Sequence, residues 1–278
     1  MKKIKKNLST IILVLILIAG LSLLLYPTFS DYWNSFHQSQ AISSYAENVA
    51  DLDEDKYAAI WSAAEEYNKS LTDKLNSFFL SEEEKKDYTS QLDVTGLGIM
   101  GYIEIPNIDC SLPIYHGTEE SALQIAVGHI EWSSLPVGGE SSHCVLSGHR
   151  GLPSAKLFSD LDKLQEGDIF TLRVLDEVLT YEVDQILIVE PQETDSLKII
   201  EGEDLCTLVT CTPYGINTHR LLVRGHRIEN IEESKNIRVT ADAMQIEPLL
   251  VAALTAIPIL LLLILLLLPK RKKSHRRK

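Results

Sequence analysis

An uncharged run of twenty residues, Leu249–Leu268, most constrains how this chain can fold. About 20 apolar residues in a helix span the hydrocarbon core of a bilayer. A second apolar run, Leu8–Tyr26, lies near the start. Four lysines precede Leu8–Tyr26, and seven Lys or Arg residues follow Leu249–Leu268, within 269–278. Because cytoplasmic flanks are enriched in Lys and Arg, the sequence predicts two membrane-spanning segments with both ends in the cytoplasm.

The run at Leu8–Tyr26 also resembles a cleaved signal peptide, which has a basic start and an apolar core. Two features favour a retained anchor. The run is longer than a usual signal core, and the bulky residues Tyr26-Pro27-Thr28-Phe29-Ser30 follow it in place of a small-x-small cleavage site. With either interpretation, the middle of the chain lies outside the cell.

The middle of the chain is strongly acidic. Eleven of the 26 Lys and Arg residues lie in the two basic ends, which leaves 15 against 39 Asp and Glu, a formal charge of about −24. Binding to phosphates needs clustered cations, so a nucleic-acid-binding role is disfavoured. The acidic charge favours solubility beside an anionic wall, and the basic tail is typical of a stop-transfer anchor on phospholipid.

From Met100 onward the pattern is that of a β protein. Short runs rich in Val, Ile, Leu and Thr are separated by Pro, Gly, Asn or Asp. The predicted strands are Gly101–Ile105, Leu112–Tyr115, Cys144–Ser147, Ile169–Val174, Leu179–Ile188, Leu205–Cys211 and Leu221–Arg227. Seven or eight such strands predict a barrel or a sandwich.

Helices are predicted between the first apolar run and these strands. Apolar residues at three- and four-residue steps predict an amphipathic helix over Ser39–Leu75, broken near Leu52–Asp55. Ser81, followed by three glutamates, predicts an N-cap that opens a short helix towards Leu92, because a hydroxyl and nearby negative charge satisfy the free N–H groups.

The segment Leu205–Arg227, LCTLVTCTPYGINTHRLLVRGHR, brings a thiol and a guanidinium to the same end of a sheet. Cys211 ends a strand in which Thr207 and Val209 share its face, since side chains alternate with period two. A loop containing Pro and Gly turns the chain. Arg220 then begins the return strand.

This arrangement favours catalysis by a cysteine. A cysteine reacts as the thiolate, so a catalytic Cys needs nearby positive charge or a base, and the oxyanion that forms needs donors. Cys211 and Arg220 meet two of these needs. His149 is the candidate histidine, because it ends another strand between two flexible glycines. Singly, the three residues would be interpreted as a buried hydrophobe, an ion-pair partner and a loop histidine; together they favour catalysis.

The other histidines and cysteines have structural interpretations. His129 is the main competitor for the base and is interpreted as a structural hydrogen-bonding residue. His219 is predicted on the opposite strand face from Arg220, and the remaining candidates, His116, His143 and His226, at turns or on the surface. The cysteines at 110, 144, 206 and 211 lack metal-ligand spacing, so no metal is predicted. If the strands of Cys211 and His149 are neighbours, Cys144 and Cys206 are level; two small buried residues are favoured over a disulfide.

TLVTCTPYGINTHRLLVRG resembles the TLxTC signature and following arginine strand of sortases, the cysteine transpeptidases of Gram-positive surfaces. CTPYG with NTHRLLVRG is similar to class C, the pilus-assembling branch. Three more blocks resemble the family in the right order: MGYIEIPNIDCSLPIYHGT, VGHIEWSSLPVGG and LSGHRGLPSAKLFSDLDKL. The similarity covers about 45–228. It implies a mainly β fold, the closed eight-stranded sortase β-barrel with an N-terminal helical extension and two flanking transmembrane segments.

The predicted division of the chain follows. Residues 1–30 form the basic end and first apolar segment, 31–95 the helical extension with a lid region, 96–230 the barrel, 231–248 a linker, 249–268 the second transmembrane helix and 269–278 the basic tail.

The resemblance also implies the reaction. Cys211 attacks the Thr–Gly bond of an LPxTG-type sorting signal, Arg220 stabilises the oxyanion, and protonated His149 is the acid for the leaving amine. A pilin lysine then resolves the thioacyl enzyme, with no organic cofactor. Thr210, Ser147 and Leu222 are further candidates that line the substrate site. Two alternatives stay open: attachment of surface proteins to peptidoglycan, and a non-catalytic membrane-anchored scaffold for pilins.

The sequence departs from the class C pattern in one region. These sortases usually carry a lid with an Asp-Pro-aromatic motif before the barrel. Here Asn76-Ser77-Phe78-Phe79-Leu80 occupies that region without Asp-Pro. The sequence predicts either no lid, or Phe78 or Phe79 covering Cys211 without an ionic latch; core packing of the two rings is an equal alternative.

Overall fold

The computed structural model of the protein describes residues 2–73 and 79–230. The predicted linker, second transmembrane helix and basic tail lie outside these residues. From Ser30 to the end of the described residues the chain forms one compact unit, whereas residues 2–29 belong to another.

Three helices precede the barrel: α1 (Lys2–Ala50), α2 (Glu54–Asp73) and α3 (Glu82–Ser90). Among the described residues, α1 alone is long and apolar enough to cross a membrane. The predicted break near Leu52–Asp55 is confirmed, because α1 ends before it and α2 begins within it. The predicted N-cap is confirmed as well: the Ser81 hydroxyl accepts from the Glu84 N–H, and the Glu84 carboxylate accepts from the Ser81 N–H.

The helices from Ser30 onward are fastened to the barrel by buried polar contacts. The Tyr45 hydroxyl of α1 donates to the Met100 carbonyl at 2.9 Å and accepts from the Leu175 N–H at 2.8 Å. The Asn68 side chain of α2 donates to the Leu135 carbonyl at 3.1 Å and accepts from the Leu135 N–H at 2.7 Å. Because these groups are buried, each bond avoids the cost of an unpaired polar atom.

Eight strands close into a barrel in the order β1-β2-β3-β4-β7-β8-β6-β5. Their bounds are β1 Ile99–Ile105, β2 Cys110–His116, β3 Val127–His129, β4 Ser142–Ser147, β5 Ile169–Val174, β6 Glu177–Val189, β7 Asp204–Thr212 and β8 His219–Ile228. A four-residue helix, α4 (Glu120–Leu123), lies between β2 and β3. The barrel is confirmed and the sandwich alternative is wrong. Sequence reasoning missed β3, since three residues around a glycine carry no strand pattern.

The parallel pairing of β4 with β7 aligns the two halves of the site. Cys144 lies opposite Cys206 in this register, as predicted, and both thiols are buried and free of a disulfide. His129 is confirmed as structural, because Nε2 donates to the Ser134 carbonyl at 2.8 Å and Nδ1 accepts from the Tyr88 hydroxyl at 2.9 Å.

The prediction that His143 lies at a turn or on the surface is wrong. Its side chain is 1% exposed. Nδ1 donates to the Lys198 carbonyl at 2.8 Å, and Nε2 accepts from the Thr207 hydroxyl at 2.7 Å. Burial lowers the pKa of His143 to about 4. The error arose because β4 begins at Ser142 and the loop before β7 covers this face.

Candidate active site

The β7–β8 hairpin places Cys211 directly opposite Arg220. Both side chains are partly exposed. The Arg220 Nη1 atom donates to the His219 carbonyl at 3.1 Å and, more weakly, to the Asn217 carbonyl at 3.4 Å. These bonds hold the guanidinium at the end of the hairpin that carries the thiol, as the strand-loop-strand pattern predicts.

His149 reaches the same end of the barrel through β4. Ser147 pairs with Val209 in the parallel register, and the Gly148 N–H donates to the Val209 carbonyl at 3.0 Å. His149 lies two residues beyond Ser147, and Cys211 lies two residues beyond Val209. The two residues are therefore level at the ends of the neighbouring strands β4 and β7. The barrel therefore brings the three predicted catalytic residues to adjacent strand ends in the order β4, β7, β8.

The backbone before His149 is held from both sides. The Thr210 hydroxyl donates to the Gly148 carbonyl at 2.7 Å. On the other side, the Phe158 ring packs so closely that a Cβ at Gly148 would lie 2.7 Å from it, and the Phe158 N–H donates to the His149 carbonyl at 3.1 Å. A side chain at Gly148 would therefore displace the ring or the histidine.

Sequence reasoning missed an acidic neighbour of His149. The Oε2 atom of Glu120, on α4, lies 3.6 Å from His149 Nε2. A hydrogen bond from the Gln124 side chain, together with the nearby His149, lowers the pKa of Glu120. The carboxylate is therefore ionised at neutral pH and places a negative charge beside the imidazole.

An apolar cluster lies on the sheet face that carries Cys211. Val209 and Leu222 precede and follow the catalytic pair by two residues, so they share its face. The buried members of this cluster are Val145, Leu197, Val209 and Leu222, and the partly buried ones are Ile130, Trp132, Leu187 and Val189. The thiol thus lies at the edge of an apolar surface built from four strands and two loops.

The substrate-site candidates occupy different places. Leu222 belongs to the apolar cluster and is 3% exposed, and Ser147 is partly exposed on β4. Thr210 is buried on the opposite side of β7 from Cys211, and its hydroxyl already bonds Gly148. Their roles in substrate binding stay predictions.

The lid candidates are only partly described. Phe78 lies outside the described residues, whereas the Phe79 side chain is 87% exposed. Such exposure disfavours core packing for Phe79. Lid function of this segment stays a prediction.

The structure distinguishes Cys211 from the other thiols by its surroundings. Cys110 is partly exposed, as Cys211 is, but desolvation raises its pKa to about 12, and burial raises the pKa of Cys206 well above its usual value. Cys144 is 2% exposed. Cys211 is accessible beside a guanidinium and level with an imidazole, the microenvironment that a nucleophilic cysteine requires.

A closed mixed barrel with Cys, His and Arg at three neighbouring strand ends defines a cysteine acyl-transfer type of site. Residues 103–228 match the family profile described as "Sortase domain". A solved structure, sortase C1 from Streptococcus agalactiae, is 53% identical, and the alignment covers 69% of this chain and 100% of that one at a TM-score of 0.68. The chain belongs to the sortase family.

Two further relatives define the similarity. The structure of Clostridium perfringens sortase C with the C-terminal cell wall sorting motif is 43% identical, and the alignment covers 69% of this chain and 99% of that one at a TM-score of 0.60. Sortase D of Bacillus subtilis (strain 168) is 32% identical over 131 residues, which are 46% of this chain and 63% of that protein. The chain thus matches less than two thirds of the length of this last relative. Both of these solved structures are class C sortases.

Proposed function

We propose that the protein is a pilus-assembling, class C-type sortase: a cysteine transpeptidase that cleaves an LPxTG-type signal between Thr and Gly and joins the new carboxyl end to a pilin lysine. The observation that carries this proposal is the register that pairs Cys211 with Arg220 and brings His149 level with the thiol. The similarity to class C structures, one of which contains a cell wall sorting motif, supports the substrate class.

In the first half-reaction, the Cys211 thiolate attacks the carbonyl carbon of the signal's threonine. The carbonyl electron pair moves to oxygen, and Arg220 stabilises this oxyanion through its guanidinium N–H groups. The tetrahedral intermediate collapses by breaking the C–N bond to glycine. Protonated His149 gives its proton to the leaving amine, which leaves a thioester on Cys211 and a neutral imidazole.

In the second half-reaction, a lysine amine of the next pilin attacks the thioester carbon. Neutral His149 takes a proton from that amine, and the Cys211 thiolate leaves. The product is an isopeptide bond, and the thiolate and imidazolium are restored. The Oε2 atom of Glu120 lies 3.6 Å from Nε2 of the histidine on which both proton transfers depend.

The partly buried members of the apolar cluster, Ile130, Trp132, Leu187 and Val189, supply a surface for the Leu and Pro of the signal. They pack against a buried set that includes Val209 and Leu222, which share the sheet face of Cys211. Apolar side chains gain about 25 cal/mol per Å² on burial, so a Leu-Pro dipeptide binds there better than at a polar surface. Substrate binding next to the thiol also places the scissile carbonyl within reach.

We also propose the full arrangement predicted from the sequence. The first apolar segment, within residues 1–30, and the second, Leu249–Leu268, would both cross the membrane, with both ends of the chain in the cytoplasm. Residues 31–95 and 96–230 would form the helical extension and the barrel outside the cell, and 231–248 would link the barrel to the second crossing. The apolarity of α1 and the basic flanks support this topology.

Intact mass of the full chain in detergent tests the proposal. The wild type is incubated with an LPxTG-type peptide, with and without a lysine-bearing pilin fragment. We expect a thioacyl adduct that converts to a peptide–pilin conjugate, no adduct for Cys211→Ala, and a normal adduct for the control Cys110→Ala. Transfer to a wall-precursor amine in place of pilin would favour the peptidoglycan alternative. No adduct with any peptide would favour the scaffold, provided that removal of Asn76–Leu80 does not restore reaction.

A further inference from the structure

The residue that follows His149 makes an unusual set of contacts. The Arg150 side chain is only 8% exposed, and its Nη2 atom lies 2.5 Å from Asp162 Oδ2. Asp162 belongs to the short 3₁₀ turn Leu161–Lys163. An arginine that is nearly buried and anchored to a carboxylate has a fixed side-chain direction, since the planar guanidinium has little freedom once one edge is bound.

The rest of the guanidinium contacts the chain that follows Cys211. Nη1 donates a long hydrogen bond of 3.4 Å to the Thr212 hydroxyl, and Cζ lies 5.7 Å from the centre of the Tyr214 ring. The same ring covers Gly151, where a Cβ would lie 3.0 Å from it. The two residues that follow His149, Arg150 and Gly151, thus lie against the chain one and three positions beyond Cys211.

These contacts complete the support of the His149 loop. Thr210 and Phe158 fix the backbone before and at His149. The glycines on either side of His149 leave the loop free to move unless something beyond it is held. Arg150 is the described side chain that reaches from this loop to the loop of Cys211.

We propose that Arg150 is a positioning residue that ties the loop of His149 to the loop after Cys211 and so sets the separation of imidazole and thiol. The inference rests on the proposed function, because it assigns Arg150 a part in thioester formation. A displacement of about 1 Å between reacting groups lowers rates roughly 100-fold. Lysine cannot replace this arginine, because one ammonium does not reach Asp162, Thr212 and the Tyr214 face together.

The first test is Arg150→Lys in the full chain in detergent. We expect kcat for thioacyl formation to fall roughly 10- to 100-fold, with KM changed by less than about twofold. Arg227→Lys is the matched control, since Arg227 Cζ lies 5.8 Å from the Tyr181 ring at the other end of β8. The control should keep wild-type kcat. A normal kcat for Arg150→Lys, or a change confined to KM, would overturn the proposal.

Tyr214→Leu gives a second variant that threatens the fold less, because Tyr214 is 63% exposed. We expect kcat to fall in the same direction. Combined with Arg150→Lys it should add little, because both changes break the same connection. If the kcat losses of the two single variants multiplied in full in the double variant, Arg150 and Tyr214 would act separately. That result would contradict a shared connection between the two loops.

A readout without a sorting peptide separates this inference from the proposed function. The rate of Cys211 alkylation by iodoacetamide is measured across pH for the wild type and for His149→Ala, which removes the imidazole's influence. We expect the pH profile of Arg150→Lys to move from that of the wild type towards that of His149→Ala. An unmoved profile refutes the positioning role even in an active enzyme. A moved profile in a protein inactive on every sorting peptide refutes the proposed function and leaves the positioning role standing.

Discussion

Lowering the pH from 7 to 5 should destabilise the protein through one buried histidine, His143. In the folded state its two ring nitrogens are occupied: Nδ1 donates to Lys198 and Nε2 accepts from Thr207. A second proton on the ring would turn the Nε2 acceptor into a donor facing a hydroxyl, in a site from which water is excluded. Burial accordingly lowers the pKa of His143 from 6.5 to about 4.

The sign and size of the change in the free energy of unfolding follow from the lowered pKa of His143. The unfolded chain takes up the proton at a higher pH than the folded chain, so stability is complete above about 6.5 and falls as the pH drops to about 4. Each pH unit in this window removes about 1.4 kcal/mol. The free energy of unfolding should therefore lose about 2 kcal/mol between pH 7 and pH 5 through this residue alone.

Urea denaturation followed by tryptophan fluorescence, at both pH values, measures the effect. The variant His143→Gln keeps a donor and an acceptor but does not titrate. We expect the stability difference between wild type and variant to change by about 2 kcal/mol between the two pH values. His226→Gln, at a partly exposed position on β8, controls for the loss of an imidazole. A wild-type-to-variant difference that stays constant from pH 7 to pH 5 would refute the reasoning.

Three further predictions concern the site. Iodoacetamide at pH 7 should label Cys211 and spare Cys110, because desolvation raises the pKa of Cys110 to about 12. Peptide mapping by mass spectrometry measures the labelling of each thiol, and equal labelling would contradict this argument. Thr210→Val removes the hydrogen bond to the Gly148 carbonyl at nearly constant side-chain volume. It should cost about 1 kcal/mol of stability, measured by denaturation, and lower kcat, measured by peptide turnover. If both values were unchanged, Thr210 would not support the loop of His149. Gly148→Ala should destabilise by about 1–3 kcal/mol because its Cβ would meet the Phe158 ring, and Phe158→Leu in the same chain should recover part of the loss; no recovery would place the strain elsewhere.

Much of the candidate site could be predicted from the local sequence. Alternation along a strand places Cys211 at its end, and a Pro/Gly loop of known length returns the chain at Arg220, so their proximity needs no distant information. The histidine was also predictable, because a strand ended by glycines on both sides of His149 suits a presented side chain. These conclusions depend on patterns that lie within about twenty residues of each other.

Other features depend on which segments become neighbours. The parallel pairing of β4 with β7 makes His149 level with Cys211, and no local pattern specifies a parallel partner. Burial of His143 depends on the loop that covers its face, so alternation alone could not place it. The short strand β3 exists only because its neighbours supply the hydrogen bonds that three residues cannot secure by themselves.

The sequence by itself determined the candidates for the chemistry of this protein: which side chain is the proposed nucleophile, which guanidinium accompanies it, and which apolar segment can cross a membrane. Those properties reside in residue type and short-range spacing. The tertiary structure decided what surrounds them, namely Glu120 against His149, the apolar cluster beside the thiol, and Arg150 between the two loops. Each joins segments distant along the chain, and only closure of the barrel fixes which of them meet.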